Sequence, residues 1–246
     1  MADPGNTRIR RGEGICSRCL RLNLQTRAQR VSMPSRVVDH MSAPVVVKLG
    51  GSYAFSAQRE DWLDVIEGCA GRAILVPGGG PFADAVRTAQ EEMGYDDRAA
   101  HHMALLAMEQ YGCALTSLRP RFKLASSVEE IRGVLAQGGV PVWAPARMVL
   151  AAKNLPESWD LTSDSLSAWL AGILGVSRLL LVKRIAGPQA CHSAADLAAA
   201  GVVDALFPQF LGASGAEAYI AGPADHAAAA AAIRGAGLPG SRIALP

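Results

Sequence analysis

The chain is predicted to be an α/β domain with a largely parallel central sheet covered on both faces. Apolar runs of four to six residues alternate with helical segments from residue 44 onward. Buried parallel strands look like this, because helices cover both faces of the sheet. Two early runs, Val45-Val46-Val47 and Ile74-Leu75-Val76, lead into glycine-rich turns where parallel sheets present ligands. At 246 residues and 50% hydrophobic content, the chain can bury a full core.

The pattern predicts a strand at 45–48, a helix near 57–69 and a strand at 73–76. A helix near 81–93 follows, with Pro81 suited to its first position. A second helix, about 97–115, carries His101, His102, Met103, Leu106 and Met108. Next come a strand at 121–125, a helix at 128–137 and a strand at 140–144. Thr162-Ser163-Asp164-Ser165 opens a helix from Ser163 to about 174, since such residues accept from free N–H groups and an acidic group favours the positive helix end. A strand at 178–183 and short helices around 194–200 and 204–211 lead to a strand at 217–221. An Ala-rich helix at 224–235 and a strand at 242–245 close the pattern.

The formal charge of +2 is unevenly spread. Residues 1–40 hold 8 Arg against 3 acidic groups, and the remainder holds 16 Lys and Arg against 19 acidic groups. A mildly acidic domain argues against nucleic acid as the main partner. Residues 1–43 read as a leader, disordered or not translated, with Met33 and Met41 as later starts and 44–246 as the domain. An Arg-rich targeting peptide is the rival reading. Cys16 and Cys19 have knuckle spacing without a second pair, and Cys69, Cys113 and Cys191, in apolar surroundings, read as reduced core thiols, so no metal site is expected. The most apolar region, Leu166 to Val182, is broken by Ser167, Ser177 and Arg178, and no apolar secretory core opens the chain. A cytoplasmic protein without membrane association is the expectation.

Lys48 stands between three valines and Gly50-Gly51-Ser52. A strand-end cation beside converging backbone N–H groups suits a transferring phosphoryl group. A simple strand-end lysine is the plainer reading. The lysine precedes the glycines, so this is not a Walker A loop. Gly78-Gly79-Gly80 exceeds what one tight turn needs, and close approach of a ligand to the backbone accounts for the excess. Asp164 reads equally as an ordinary helix-start residue and as a carboxylate that orients Lys48. Asp84 reads as solvent-facing or as a partner for a cationic substrate, and His101 as a core histidine or a site residue.

Together, Lys48-Leu49-Gly50-Gly51-Ser52, Pro77-Gly78-Gly79-Gly80 and Thr162-Ser163-Asp164-Ser165 resemble the amino acid kinase superfamily over residues 44–245. Phe82-Ala83, Ser158-Trp159 with Leu161 to Ser167, Val203-Asp204 and Phe207-Pro208 are most similar to its kinases of aminomethylfuran methyl phosphate in methanofuran biosynthesis. The resemblance implies a three-layer αβα sandwich, ATP and Mg²⁺ as co-substrate and cofactor, and conversion of that phosphate to its diphosphate. It implies Lys48 and Asp164 as catalytic residues, and Gly50, Gly51, Ser52, Lys183, Arg184 and Gly187 around the nucleotide phosphates. Gly78, Gly79, Gly80, Asp84, His101, Ser163 and Asp204 would surround the acceptor. A homo-oligomer is implied, since the family associates. The chain departs from the family at Lys183-Arg184-Ile185-Ala186-Gly187, where the family reads close to T-D-V-D-G. Another carboxylate or phosphate kinase of the superfamily, or a non-catalytic nucleotide-binding subunit, are the competing readings.

Overall fold

The computed structural model describes residues 43–185, 192–235 and 237–245. The expectations for residues 1–42, which include Cys16 and Cys19, and for Gly187 and Cys191 lie outside these residues. Cys69 is buried as a core thiol should be, whereas Cys113 is exposed, because it falls on the solvent side of its helix. Strand β1, Val45–Leu49, is wholly buried, as three consecutive valines favour. Helix α1, Gln58–Glu67, leads to β2, Ala73–Pro77. Helix α2, Gly80–Met93, ends at left-handed Gly94, and α3, Asp97–Leu118, starts where Asp96 accepts from the Ala99 N–H. Then come β3 (Phe122–Ala125), α4 (Val128–Ala136) and β4 (Val140–Trp143). Helix α5, Ala146–Ala151, was not anticipated; at six residues behind Pro145, it is too short to show periodicity.

Helix α6, Ser163–Leu174, begins and ends where the sequence places it. It is followed by β5 (Arg178–Val182), β6 (His192–Ser193) and α7 (Ala194–Ala199). Helix α8, Phe207–Ser214, starts later than the expected 204–211, because Pro208 belongs in a first turn and Asp204 is used elsewhere. Strand β7 (Glu217–Ala221), α9 (His226–Arg234) and β8 (Ser241–Ala244) complete the domain.

The eight strands among the described residues lie in the order β3-β4-β2-β1-β5-β7-β8-β6. Pairing is parallel from β3 through β7; β8 runs antiparallel to β7, and β6 parallel to β8. Alternate strand residues feed two cores, as a pleated strand requires. Val46, Ile74, Val76, Leu179 and Leu181 pack with α6 and α8, while Val45, Val47, Leu75, Leu180 and Val182 pack with α1 and α9. The architecture is a three-layer αβα sandwich. No helix among the described residues is long and apolar enough to cross a membrane.

The chain leaves β1 toward β2 on one side and returns to β5 on the other. That reversal opens a crevice at the carboxyl ends of the strands, where ligands of such sheets bind. Lys48 stands opposite Val76 of β2 and Leu181 of β5. Gly50, Gly78 and Lys183 follow the ends of these three strands.

Candidate active site

Lys48 shares the face of β1 that Val46 presents to α6, and that alternation brings it to Asp164 in the first turn of the helix. The Lys48 Nζ lies 2.9 Å from Asp164 Oδ1, with both side chains about 5% exposed or less. This is a close ion pair shielded from water. The other oxygen, Oδ2, accepts from Lys183 Nζ at 2.6 Å. Lys183 reaches it from the end of β5, its backbone N–H bound to Ala221.

Burial brings the Lys48 ammonium down to about 8; Asp164 opposes the shift and Lys183 adds to it. Burial pushes the Asp164 carboxyl up, but the two ammonium groups more than reverse this and hold it below its ordinary value. The contact expected between Lys48 and Asp164 is therefore present. The second lysine on the same carboxylate was missed, because a loop after a strand gives no sign of which helix start it will meet.

Asp204 lies outside the cavity at the strand ends. Its Oδ2 accepts from the Thr162 N–H at 3.0 Å, the Thr162 hydroxyl at 2.8 Å and the Ser165 N–H at 3.0 Å, and its Oδ1 accepts from the Ser165 hydroxyl. Thr162, at the cap position, makes no capping bond itself. Asp204 thus supplies from a distant segment the cap that α6 lacks. Burial, and then the nearby Asp164, hold its carboxyl above the ordinary range despite these four bonds.

A cavity of about 250 Å³ adjoins this cluster. Gly51, Ser52, Gly78, Gly79, Gly80, Asp84, His101 and Ser163 all line it, so the two glycine loops and most of the expected acceptor residues converge. Ser52 and Gly51, expected on the nucleotide side, face this cavity as well. Gly50 stands behind them, its N–H donating to Val182 at 2.9 Å. Arg184 is exposed and donates to the Ser52 carbonyl at 3.4 Å.

The glycine loops also press on each other. A Cβ on Gly51 would lie 2.3 Å from the Gly80 N, and one on Gly78 would lie 2.5 Å from the Gly51 N. Gly80 has a φ of +54°, the left-handed region. Backbone-to-backbone packing thus accounts for much of the glycine excess that ligand approach alone was expected to explain. The Gly78–Gly80 loop still ends at the start of α2, where the Gly80 and Phe82 N–H groups have no partner within the helix and Pro81 has none to offer.

His101 is buried in the cavity wall. Burial lowers its pKa below the ordinary value and so favours the neutral ring at pH 7; a hydrogen bond with the Ser158 backbone opposes this shift without reversing it. Leu105, Met108, Leu161 and Leu166 form an apolar part of the lining. One charged cavity residue, Arg87, escaped the sequence reading, and it meets Trp159 of the Ser158–Ser167 motif. Arg87 lies three positions after Asp84 on α2, with Nη1 3.5 Å from its Oδ1. The Arg87 guanidinium carbon sits 4.2 Å from the ring centroid of Trp159. Helical spacing was the available signal for Arg87, and the Ser158–Ser167 motif, of which Trp159, Leu161, Thr162, Ser163 and Leu166 line the cavity with His101, was the signal for Trp159.

Comparison with known proteins agrees with this fold. The profile of the amino acid kinase family matches residues 43–187. A curated relative, the [5-(aminomethyl)furan-3-yl]methyl phosphate kinase of Methanocaldococcus jannaschii, is 23% identical over 146 residues. That alignment covers 58% of this chain and 66% of the relative, just under two thirds of its length. Among solved structures, a uridylate kinase from Archaeoglobus fulgidus superposes with a TM-score of 0.61 at 19% identity, over 82% of this chain and 100% of that one. A UMP kinase from Ureaplasma parvum gives 0.56 at 18% identity, over 74% and 90% of the two chains. With its profile match spanning more than half of its length and a fold shared with these kinases, the chain belongs to the amino acid kinase family.

Proposed function

We propose that this protein transfers the terminal phosphoryl group of ATP to the phosphate of an aminomethylfuran methyl phosphate, giving the diphosphate. The observation that carries the reading is the buried Lys48–Asp164 pair at the end of β1, beside a cavity lined by both glycine loops. The curated relative supports the choice of acceptor. Asp84 and Arg87 give the cavity one carboxylate and one guanidinium, which suits an acceptor with an ammonium and a phosphate.

In the transfer, an oxygen of the acceptor phosphate forms a bond to the terminal phosphorus of ATP. The bond from that phosphorus to the bridging oxygen breaks, and its electron pair leaves with ADP. Lys48 bridges the moving group and stabilises the charge on its oxygens. Asp164 holds Lys48 at the strand end, and Ser52 with Gly79 and Gly80 presents backbone donors from the acceptor side, the Gly78 N–H being bound to the Leu49 carbonyl at 2.9 Å. Lys183, Arg184 and Gly187 are assigned to the nucleotide phosphates, with Lys183 anchored on the carboxylate that holds Lys48. Ser163 and His101 shape the acceptor wall. Asp204 acts through the α6 cap rather than on the acceptor.

The residues at the strand ends do not fit a metal held by the protein. Both oxygens of Asp164 face lysines, both of Asp204 are bound to α6, and no cluster of three or more His, Cys, Asp or Glu among the described residues could hold a cation. The Mg²⁺ expected with the nucleotide is therefore assigned to the nucleotide's own phosphates, and no step is routed through it.

Incubation with MgATP and synthetic aminomethylfuran methyl phosphate, followed by mass spectrometry, tests the proposal. Diphosphate and ADP should form together and disappear in Lys48→Ala. ADP release from another anionic acceptor but not this one would move the reading to a different kinase of the family. Nucleotide binding without turnover of any acceptor would favour a binding subunit.

A further inference from the structure

We propose that Arg87, clamped on Trp159, is the receptor for the anionic group of the acceptor; this rests on the reading of the cavity as an acceptor site for a phosphate. Arg87 is the one lysine or arginine among the residues that line the cavity. Lys48 and Lys183 stand outside that lining, each tied to Asp164. His101 is neutral. Without Arg87, an anionic acceptor would enter a cavity whose one charged side chain is the Asp84 carboxylate.

The half-exposed guanidinium is held against one fixed aromatic ring. Its central carbon lies over the Trp159 ring, 4.2 Å from the centroid, a cation–π contact that takes none of its N–H donors. The indole is fixed in turn, with Nε1 donating to Gln90 Oε1 at 2.7 Å. Gln90 donates to Asp97 Oδ1 at 2.8 Å and to the Tyr95 carbonyl at 3.3 Å. The bracket therefore joins α2, the start of α3 and the segment before α6. A preorganised guanidinium loses less freedom when it binds an anion.

Its existing partner is weak. The Asp84 carboxylate is 3.5 Å away and 77% exposed, longer than a charge-assisted hydrogen bond and open to water. Helical side chains lean toward the N-terminus of their helix, so Arg87 is directed back along α2 toward Gly80. An acceptor phosphate at the glycine loops then meets backbone donors on one side and a planar two-pronged donor on the other.

Equilibrium binding without ATP tests this, using aminomethylfuran methyl phosphate, the corresponding alcohol and methyl phosphate on the wild type, Arg87→Lys and Arg87→Met. The phosphate ester should bind the wild type about tenfold or more tighter than the alcohol, as a charged bidentate contact implies. Arg87→Met should erase that preference and leave the affinity of the alcohol unchanged, and Arg87→Lys should restore part of it. In turnover, KM for the acceptor should rise while KM for ATP holds. A phosphate preference that persists in Arg87→Met overturns the proposal. So does an equal loss for ester and alcohol, which would make Arg87 only a structural bracket. If neither furan compound binds but methyl phosphate binds through Arg87, the assignment of Arg87 stands and the furan reading falls.

Discussion

Lys48 and Lys183 divide one carboxylate between them: Asp164 Oδ1 lies 2.9 Å from the first Nζ, and Oδ2 2.6 Å from the second. The two lysines leave adjacent parallel strands, so the carboxylate at the start of α6 ties together the ends of β1 and β5. Removing its charge would leave two ammonium groups crowded in a buried setting. Asp164→Asn is expected to lower stability by about 3–5 kcal/mol, as when one partner of a buried ion pair is lost. Urea unfolding measures it; a loss below about 1 kcal/mol, the surface-pair range, would show that water reaches the cluster freely.

The same cluster sets a pH dependence. Lys48 gives up its proton near pH 8 when folded, against 10.5 for the ordinary group. Between those values the unfolded chain binds more protons, so the cost of burying the ammonium, fully present below about pH 8, is relieved as the pH rises toward 10.5. Turnover should move the other way and fall above about pH 8, because the phosphoryl group needs the charged lysine. Lys183 contributes to the lowering, so Lys183→Met should shift this alkaline limb upward. Identical limbs in both proteins would mean that another group controls the rate.

Asp204 serves four donors at the start of α6. Asp204→Ala should cost about 1–3 kcal/mol by leaving them without their acceptor. Thermal melting would register the loss. Activity should fall further than stability explains, because Asp164 sits on the turn that Asp204 caps. Undiminished turnover in a destabilised variant would separate the cap from the chemistry.

Two glycine substitutions should act in opposite directions. Gly51→Ala places a Cβ 2.3 Å from the Gly80 backbone nitrogen, which neither loop can yield without separating, so a loss of soluble folded protein or of several kcal/mol is expected. Gly133 lies inside α4 with open space around it, and Gly133→Ala should stabilise by about 0.5–1 kcal/mol. Circular dichroism melts of the two variants give the comparison.

Much of the fold was legible because its signals are local. The valines of β1, the Ser163 helix start and the alanines of α9 declare their elements within a few residues, and the observed bounds fall close to the expected ones. Helix α5 was not legible, since six residues cannot display a period. The sheet was read as largely parallel, but the reversal at β8 follows from its pairing with β7, which no local pattern encodes. In the candidate site, Lys48 and the glycines stood out by residue type. The partner of Lys183, the cap made by Asp204 and the Arg87–Trp159 stack did not, because each joins segments distant along the chain.

By itself, the sequence determined which segments are strands and helices, that the strands stack largely in parallel, and that a lysine and two glycine turns meet at their ends. These follow from backbone preference, side-chain periodicity and the glycines' lack of a Cβ. Only the tertiary structure decided that one carboxylate serves two lysines, that the glycines pack first against each other, and that Asp204 supports a helix instead of facing the cavity. Those outcomes depend on strand order and on the depth at which each charge is buried, and burial is set by what the rest of the chain places around a residue.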